Sequence, residues 1–179
     1  IWNPHTAEKL TTLTGHTSFV TGVAWHPDGG LIATTSWDDT CIIWNPHTGK
    51  KLTTLTGHTN FVTGIAWHPD GGLIATTSYD HTCIIWNPHT AEKITTLTGH
   101  TSRVTGIAWH PTGDLLATTD TSGLIRISHL DGTLERAFIS VRPRVPGVES
   151  YASWTPAGLD VLEGEAWRVL RVPNPDDGS

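Results

Sequence analysis

Along residues 15–56 the apolar and β-branched positions fall into short runs at about 19–26, 31–36, 40–45 and 51–56, separated by Asp28-Gly29-Gly30, Asp38-Asp39 and Asn45-Pro46-His47-Thr48-Gly49. Runs this short, rich in Val, Ile, Thr and Trp and punctuated by turn formers, predict four strands, a to d, joined by tight turns into one antiparallel sheet. The third run, Cys41-Ile42-Ile43-Trp44, is apolar at every position. A strand without alternation has no solvent side, so each sheet must be covered on both faces, as when it stands between two sheets like itself. The small Gly22 and Ala24 suit a strand a at the crowded inner end of such a stack.

The pattern then repeats. Residues 57–98 copy 15–56 with seven differences: Ser18/Asn60, Val23/Ile65, Trp37/Tyr79, Asp39/His81, Gly49/Ala91, Lys50/Glu92 and Leu52/Ile94. A third copy, 99–140, keeps the register and drifts after Pro111, while residues 1–14 duplicate 85–98 except for Leu10 in place of Ile94. The tail aligns at an offset of 45, which lays Trp154-Thr155-Pro156-Ala157-Gly158 on Trp109-His110-Pro111-Thr112-Gly113 and Val169-Leu170-Arg171-Val172 on Leu124-Ile125-Arg126-Ile127. The chain is therefore expected to be one unit, 1–179. Residues 1–14 supply a strand d at about 9–14 that closes a blade, repeats occupy 15–56, 57–98 and 99–140, and a degenerate fourth repeat at 141–179 lacks strand d. Four-stranded antiparallel sheets repeated at a period of 42 residues describe an all-β propeller, here with about four blades' worth of strands.

Composition narrows the partners. Eleven Lys and Arg against 17 Asp and Glu give a net charge of -6, which argues against a surface built to neutralise phosphates, so no nucleic acid is expected. No apolar run approaches the roughly 18 residues of a membrane-spanning helix, and no membrane partner is expected. There is no Met, even at position 1, so the chain is expected to start inside a longer reading frame or to have been processed. Cys41 and Cys83 occupy one position of successive repeats. Equivalent points on stacked sheets lie about 10 Å apart, beyond the roughly 7 Å that a disulfide spans between Cα atoms. Both are expected as buried thiols, in a reducing, cytoplasmic compartment.

Gly-His at 15–16, 57–58 and 99–100, the Trp-x-Pro-x-Gly turn, Ser-x-Asp before strand c, and Trp44 and Trp86 at its end recur in register. This set resembles the WD-repeat β-propeller family, firmly over 1–140 and weakly beyond. Two features depart from the family pattern. Asn45 and Asn87 stand in place of the Asp that follows the Trp, and the third copy has Ser122 and Ser128 where Asp and Trp belong. The second departure implies a third blade that has lost its internal polar clamp.

His16, Ser36 and Asp38 supply the three side-chain types of a serine-hydrolase triad. A catalytic site would not be duplicated at His58, Ser78, Asp80 and Trp86. The resemblance instead implies a structural relay in which Asp38 orients His16, the His bonds a strand-b hydroxyl, and that hydroxyl holds the Trp44 indole. Sequence leaves open whether the hydroxyl belongs to Ser36 or Thr34. Two further His rows, His5/His47/His89 and His26/His68/His110, should edge the bottom face in exposed turns, with no carboxylate visible behind them. No metal site and no cofactor are expected.

The chemically distinct differences between the first two copies fall on loops d–a and b–c, which share the top face. Trp37 and Tyr79, with Phe19, Phe61, Asp39 and His81 around them, are read as a candidate contact site, aromatic anchors rimmed by polar groups. The competing reading has the aromatics packing on Phe19 and Phe61 and merely covering the sheet. The expected function is that of a non-enzymatic protein- or peptide-binding scaffold. The alternatives are a sensor or regulatory module of a larger bacterial signalling ATPase or kinase, and a recently amplified or constructed repeat without an evolved ligand. Complementary ends suggest a homodimer that closes an eight-bladed ring, or a chain that is a piece of a longer array.

Overall fold

The computed structural model describes residues 1–141, 150–155 and 158–163. Its strands form three antiparallel sheets and, among the described residues, no helix. Sheet one is β1 (Val20–Trp25), β2 (Ile32–Ser36), β3 (Thr40–Trp44) and β4 (Lys51–Thr56). Sheet two follows as β5 (Val62–Trp67), β6 (Ile74–Ser78), β7 (Cys83–Trp86) and β8 (Lys93–Leu97). Sheet three begins with β9 (Val104–Trp109), β10 (Leu115–Asp120), β11 (Leu124–His129) and β12 (Leu134–Val141). Neighbours in sequence are neighbours in each sheet, so a to d run from the inner to the outer edge of a blade.

Strand c is apolar throughout for the reason the pattern suggested. Cys41 and Ile43 turn toward sheet two and join Ile74, Ile84 and Trp86 in one buried cluster, while Ile42 and Trp44 turn the other way with Ile32 and Leu13. Period-two alternation thus carries apolar side chains to two different interfaces. Burial pushes the Cys41 and Cys83 thiols far above their ordinary range, and both are free.

The blades are joined at their inner strands by a repeated junction. A register shift between Val20 and Gly22 leaves Thr21 as an extra residue of β1, and the bulge directs its hydroxyl to the Val62 carbonyl of the next blade, 2.5 Å away. Thr63 repeats the bond to Val104 O at 2.6 Å. In the opposite sense, Trp67 Nε1 donates to Ala24 O at 3.2 Å and Trp109 Nε1 to Ala66 O at 3.1 Å. Gly22 faces this junction for lack of room, since a Cβ there would fall 2.8 Å from Thr35 Oγ1.

In the second His row, His26 and His68 belong to the same junction and are partly buried, and only His110 is exposed. His26 Nε2 donates to Gly71 O at 3.2 Å and His68 Nε2 to Gly113 O at 2.9 Å. Each ring stands edge-on to the next blade's Trp, His26 on Trp67 and His68 on Trp109. The carboxylates missing from the sequence reading are Asp28 and Asp70, which meet the Nδ1 atoms at 2.5 and 2.6 Å. No group of three or more His, Cys, Asp or Glu suited to a metal ion occurs among the described residues.

Both ends of the chain depart from expectation. Residues 9–14 are not a strand; they are tied back locally by a single bridge between Trp2 and Lys9 and by a 2.6 Å bond from the Ile1 ammonium to Thr11 O. Their close duplicate at 93–97 is strand β8 because β7 lies beside it to complete the ladder; residues 9–14 have no such neighbour among the described residues. The described part of the tail extends sheet three instead of starting a fourth blade. β13 (Ser150–Thr155) pairs with β12, and β14 (Gly158–Glu163) pairs with β13, so sheet three carries six strands. The expected strand c at Val169–Val172 lies outside the described residues. The described residues therefore form three blades.

The b–c turns need a left-handed residue, supplied by Asp39 (φ 65°), His81 (φ 70°) and Gly123 (φ 88°). Only glycine adopts this conformation without a steric cost. Asp39→Gly is therefore expected to stabilise the chain by about 0.5–1 kcal/mol in urea melts, and Gly123→Ala to destabilise it comparably.

Candidate functional site: an aromatic ladder above a buried polar relay

The loops of the top face are anchored from below. In blade one, His16 Nδ1 donates to Asp38 Oδ2 at 2.8 Å, and the Thr34 hydroxyl lies 2.8 Å from His16 Nε2 and 2.8 Å from Trp44 Nε1. The indole is only a donor and the carboxylate only an acceptor, which fixes the direction of the relay: Trp44 N–H to Thr34 O, Thr34 O–H to His16 Nε2, and His16 Nδ1–H to Asp38. Blade two repeats it through Trp86, Thr76, His58 and Asp80. Thr34 and Thr76 are thus the strand-b hydroxyls, and Ser36 and Ser78 are not. The serines sit one pleat closer to the turn, where their Oγ atoms accept from the Asp38 and Asp80 amides at 3.1 and 3.0 Å.

The third blade has kept its clamp, contrary to the reading based on Ser122 and Ser128. His100 Nδ1 donates to Asp120 Oδ2 at 2.7 Å, and Thr118 Oγ1 lies 2.8 Å from Nε2. Asp120 replaces Ser78 of the repeat, two residues before the usual Asp, and so lies on the same face of the strand. Only the indole is lost. Its space is approached by the Arg126 guanidinium, 2.8 Å from where a Gly99 Cβ would be.

The relay carboxyls all lie below their ordinary range. Burial would raise Asp38, but the Thr40 hydroxyl, the Thr17 amide and the His16 ring bond its charged form and hold it at about 2. The same opposition, with His58 and Thr82 in the leading part, takes Asp80 lower still, and Ser122 and His100 act similarly on Asp120. His100 itself is lowered by burial, which outweighs its bond to Asp120.

Above the relay, the d–a and b–c loops of each blade are tied by one backbone bond: Trp37 N to Phe19 O and Tyr79 N to Phe61 O, both 2.9 Å, and Thr121 N to Arg103 O, 3.0 Å. This brings the aromatics of neighbouring blades into one row. Phe19 meets Trp37 edge to face (centroids 5.2 Å, 77°), Trp37 stacks on Phe61 (4.8 Å, 12°), and Phe61 leans on Tyr79 (5.9 Å, 45°). The Arg103 guanidinium caps the row 4.6 Å above Tyr79. The rings pack on each other, and Phe19 nevertheless remains 72% and Trp37 39% exposed. Asp39 and His81 serve the left-handed turn, and no hydrogen bond, ion pair or ring contact joins their side chains to the ladder among the described residues. Comparison of the first two copies alone missed Arg103. It shows only when the third copy is aligned, where it replaces Phe61.

Blades of four antiparallel strands joined at their inner edges, each with a His–Thr relay and two with its Trp, define a WD-type propeller. The WD domain, G-beta repeat, family matches residues 7–45, 49–87 and 91–127, more than half of the chain. The chain belongs to the WD-repeat family. No curated protein matches it in sequence.

Thr76→Val leaves the Trp86 indole N–H and the His58 Nε2 without a partner and is expected to cost about 1–3 kcal/mol, more than Ser78→Ala, in matched urea melts. His100→Ala should cost about as much as His58→Ala, because both rings are buried and doubly bonded.

Acid should act through the carboxyls. Their folded values lie below the ordinary one near 3.8, so the unfolded chain takes up protons first. The stability they contribute is complete above about pH 4 and, for Asp38, is lost as pH falls toward about 2. Urea midpoints measured from pH 7 downward should show this decline, and Asp80→Asn should flatten it from a lower starting value.

Proposed function

We propose that the chain is a non-enzymatic protein- or peptide-binding scaffold whose contact site is the aromatic ladder of the top face. The observation that carries this reading is one contiguous row, Phe19–Trp37–Phe61–Tyr79–Arg103, left partly open on loops where nearly identical blades differ. Evolved contact sites concentrate on loops held by a rigid scaffold, and the relays hold these loops from beneath. Aromatic and Arg side chains with restricted rotamers lose little entropy on binding, which is why they dominate interface energetics. An extended segment with apolar or proline side chains fits such a row.

A hydrolytic reading of the relay has little support in its chemistry. The Thr34 oxygen accepts from an indole while its proton points at His16, so no free nucleophile faces solvent there. Occurrence of the same constellation in each blade also favours a structural role.

Peptides selected from a displayed random library against the chain should lose about 30-fold or more in affinity, equivalent to 2 kcal/mol, on Phe19→Ala and on Trp37→Ala. Phe19→Ala should leave the melting curve nearly unchanged, whereas Trp37→Ala should also lower it, since Trp37 stacks across the blade junction. Selected peptides that bind both variants as well as the parent would place the contact site elsewhere.

A further inference from the structure

The two outermost faces of the three-blade fan are the two halves of its own internal junction. On the leading side of sheet two, Val62 is 0% and Trp67 8% exposed, because sheet one covers them. Their counterparts on sheet one, Val20 and Trp25, are 58% and 52% exposed, and Val23 is 62% exposed. Trp25 Nε1 has no acceptor among the described residues, although Trp67 and Trp109 each find one. A Cβ on Gly71 or Gly113 would fall 2.2 or 2.3 Å from the His of the preceding blade, whereas one on Gly29 meets nothing within 4 Å.

The missing partners stand on the far face of sheet three. Thr105, Ala108 and His110 correspond to Thr21, Ala24 and His26, and all three are exposed. His110 holds Thr112 through Nδ1 at 2.7 Å, which leaves Nε2 to donate, as His26 and His68 do. Around them Leu115, Ala117 and Ile127 line an apolar hollow with Trp109.

We propose that two copies of this chain associate head to tail, with sheet three of one docking on sheet one of the other to reproduce the internal junction. Thr105 then bonds Val20 O, Trp25 bonds Ala108 O, and His110 bonds Gly29 O. The occupant follows from continuity with an interface the chain already uses twice. Residues 1–14 cover the outer half of the sheet-one face, where Leu13 stands against Ile32, Ile42 and Trp44 in the place that Leu55 takes at the next junction. The incoming β12 brings Phe138, which pairs with Ile125 as Leu55 does with Cys41, to that place, so these residues lift off on docking and compete with it. A heterologous contact of this kind closes into a ring where its rotation allows. Two copies joined at both ends would bring six blades of the described strands into one ring.

The test uses the 1–179 chain with a charge on one face at a time, Val23→Arg or Ala108→Arg, and light scattering up to roughly 0.1 mM, well above a micromolar Kd. The parent should rise to at least twice the mass of one chain as concentration increases. Each variant alone should remain a monomer, because self-association needs both faces. An equimolar mixture should give a one-to-one dimer that grows no further. Trp25→Phe and His110→Ala, which remove one hydrogen-bonding group each, should weaken the parent's association without altering its melting curve. A parent that stays monomeric throughout, single-face variants that still dimerise, or a mixture that stays monomeric would each overturn the proposal.

Discussion

Everything in this molecule follows from sheets that are apolar on both faces. Cys41 and Ile43 leave strand c on one side, Ile42 and Trp44 on the other, and no single blade can bury both sets. Stability then resides in junctions between like blades rather than within any blade, which is the physics of repeat proteins. The junction is demanding because it joins a well-packed apolar layer to three directional bonds: a Thr hydroxyl to a carbonyl, an indole to a carbonyl and an imidazole to a carbonyl. Those bonds run between fixed backbone positions and so determine how one blade sits on the next.

The relay answers a second requirement, that a large amphipathic ring buried near the loops must have its polar atoms paired. The Trp44 indole is 1% exposed, and its N–H is satisfied by passing hydrogen bonds outward through Thr34 and His16 to Asp38, whose charged form is held by the loop amides. Packing in the core and conformation of the top loops are thereby coupled in each blade. In blade three the Trp is gone, yet His100 and Asp120 persist, which indicates that bracing the loop is sufficient reason to keep the pair.

Much of this was legible in the sequence, and what was not has identifiable causes. Strand positions, the double-faced sheet, the crowded glycines and the buried thiols all follow from residue pattern. Thr34 and Ser36 are two apart on one strand and face the same way, so alternation could not choose between them; the depth of Trp44, opposite Ile32, does. Asp120 was overlooked for a related reason. A residue shifted by two keeps its face while losing its column in a repeat alignment. His26 and His68 were read as exposed because their acceptors, Gly71 O and Gly113 O, lie on the next blade, a relation that spacing within one repeat does not reveal.

Residues 1–14 and 85–98 make the limit plain, since they differ at one position and adopt different structures. What is local survives in both. Asn3 and Asn87 accept from the amides of His5 and His89 at 2.9 Å, and Ala7 and Ala91 take the same left-handed turn at φ 55° and 61°. What is non-local does not. Trp86 is 1% exposed within its sheet and Trp2 63% exposed without one, and Lys93–Leu97 is a strand while 9–14 is not. Turn chemistry is written in a few adjacent residues, whereas a strand is a relation between two segments and exists only where the second is present. An amplified repeat multiplies the first kind of information faithfully and leaves the second to whichever surface stands at its ends.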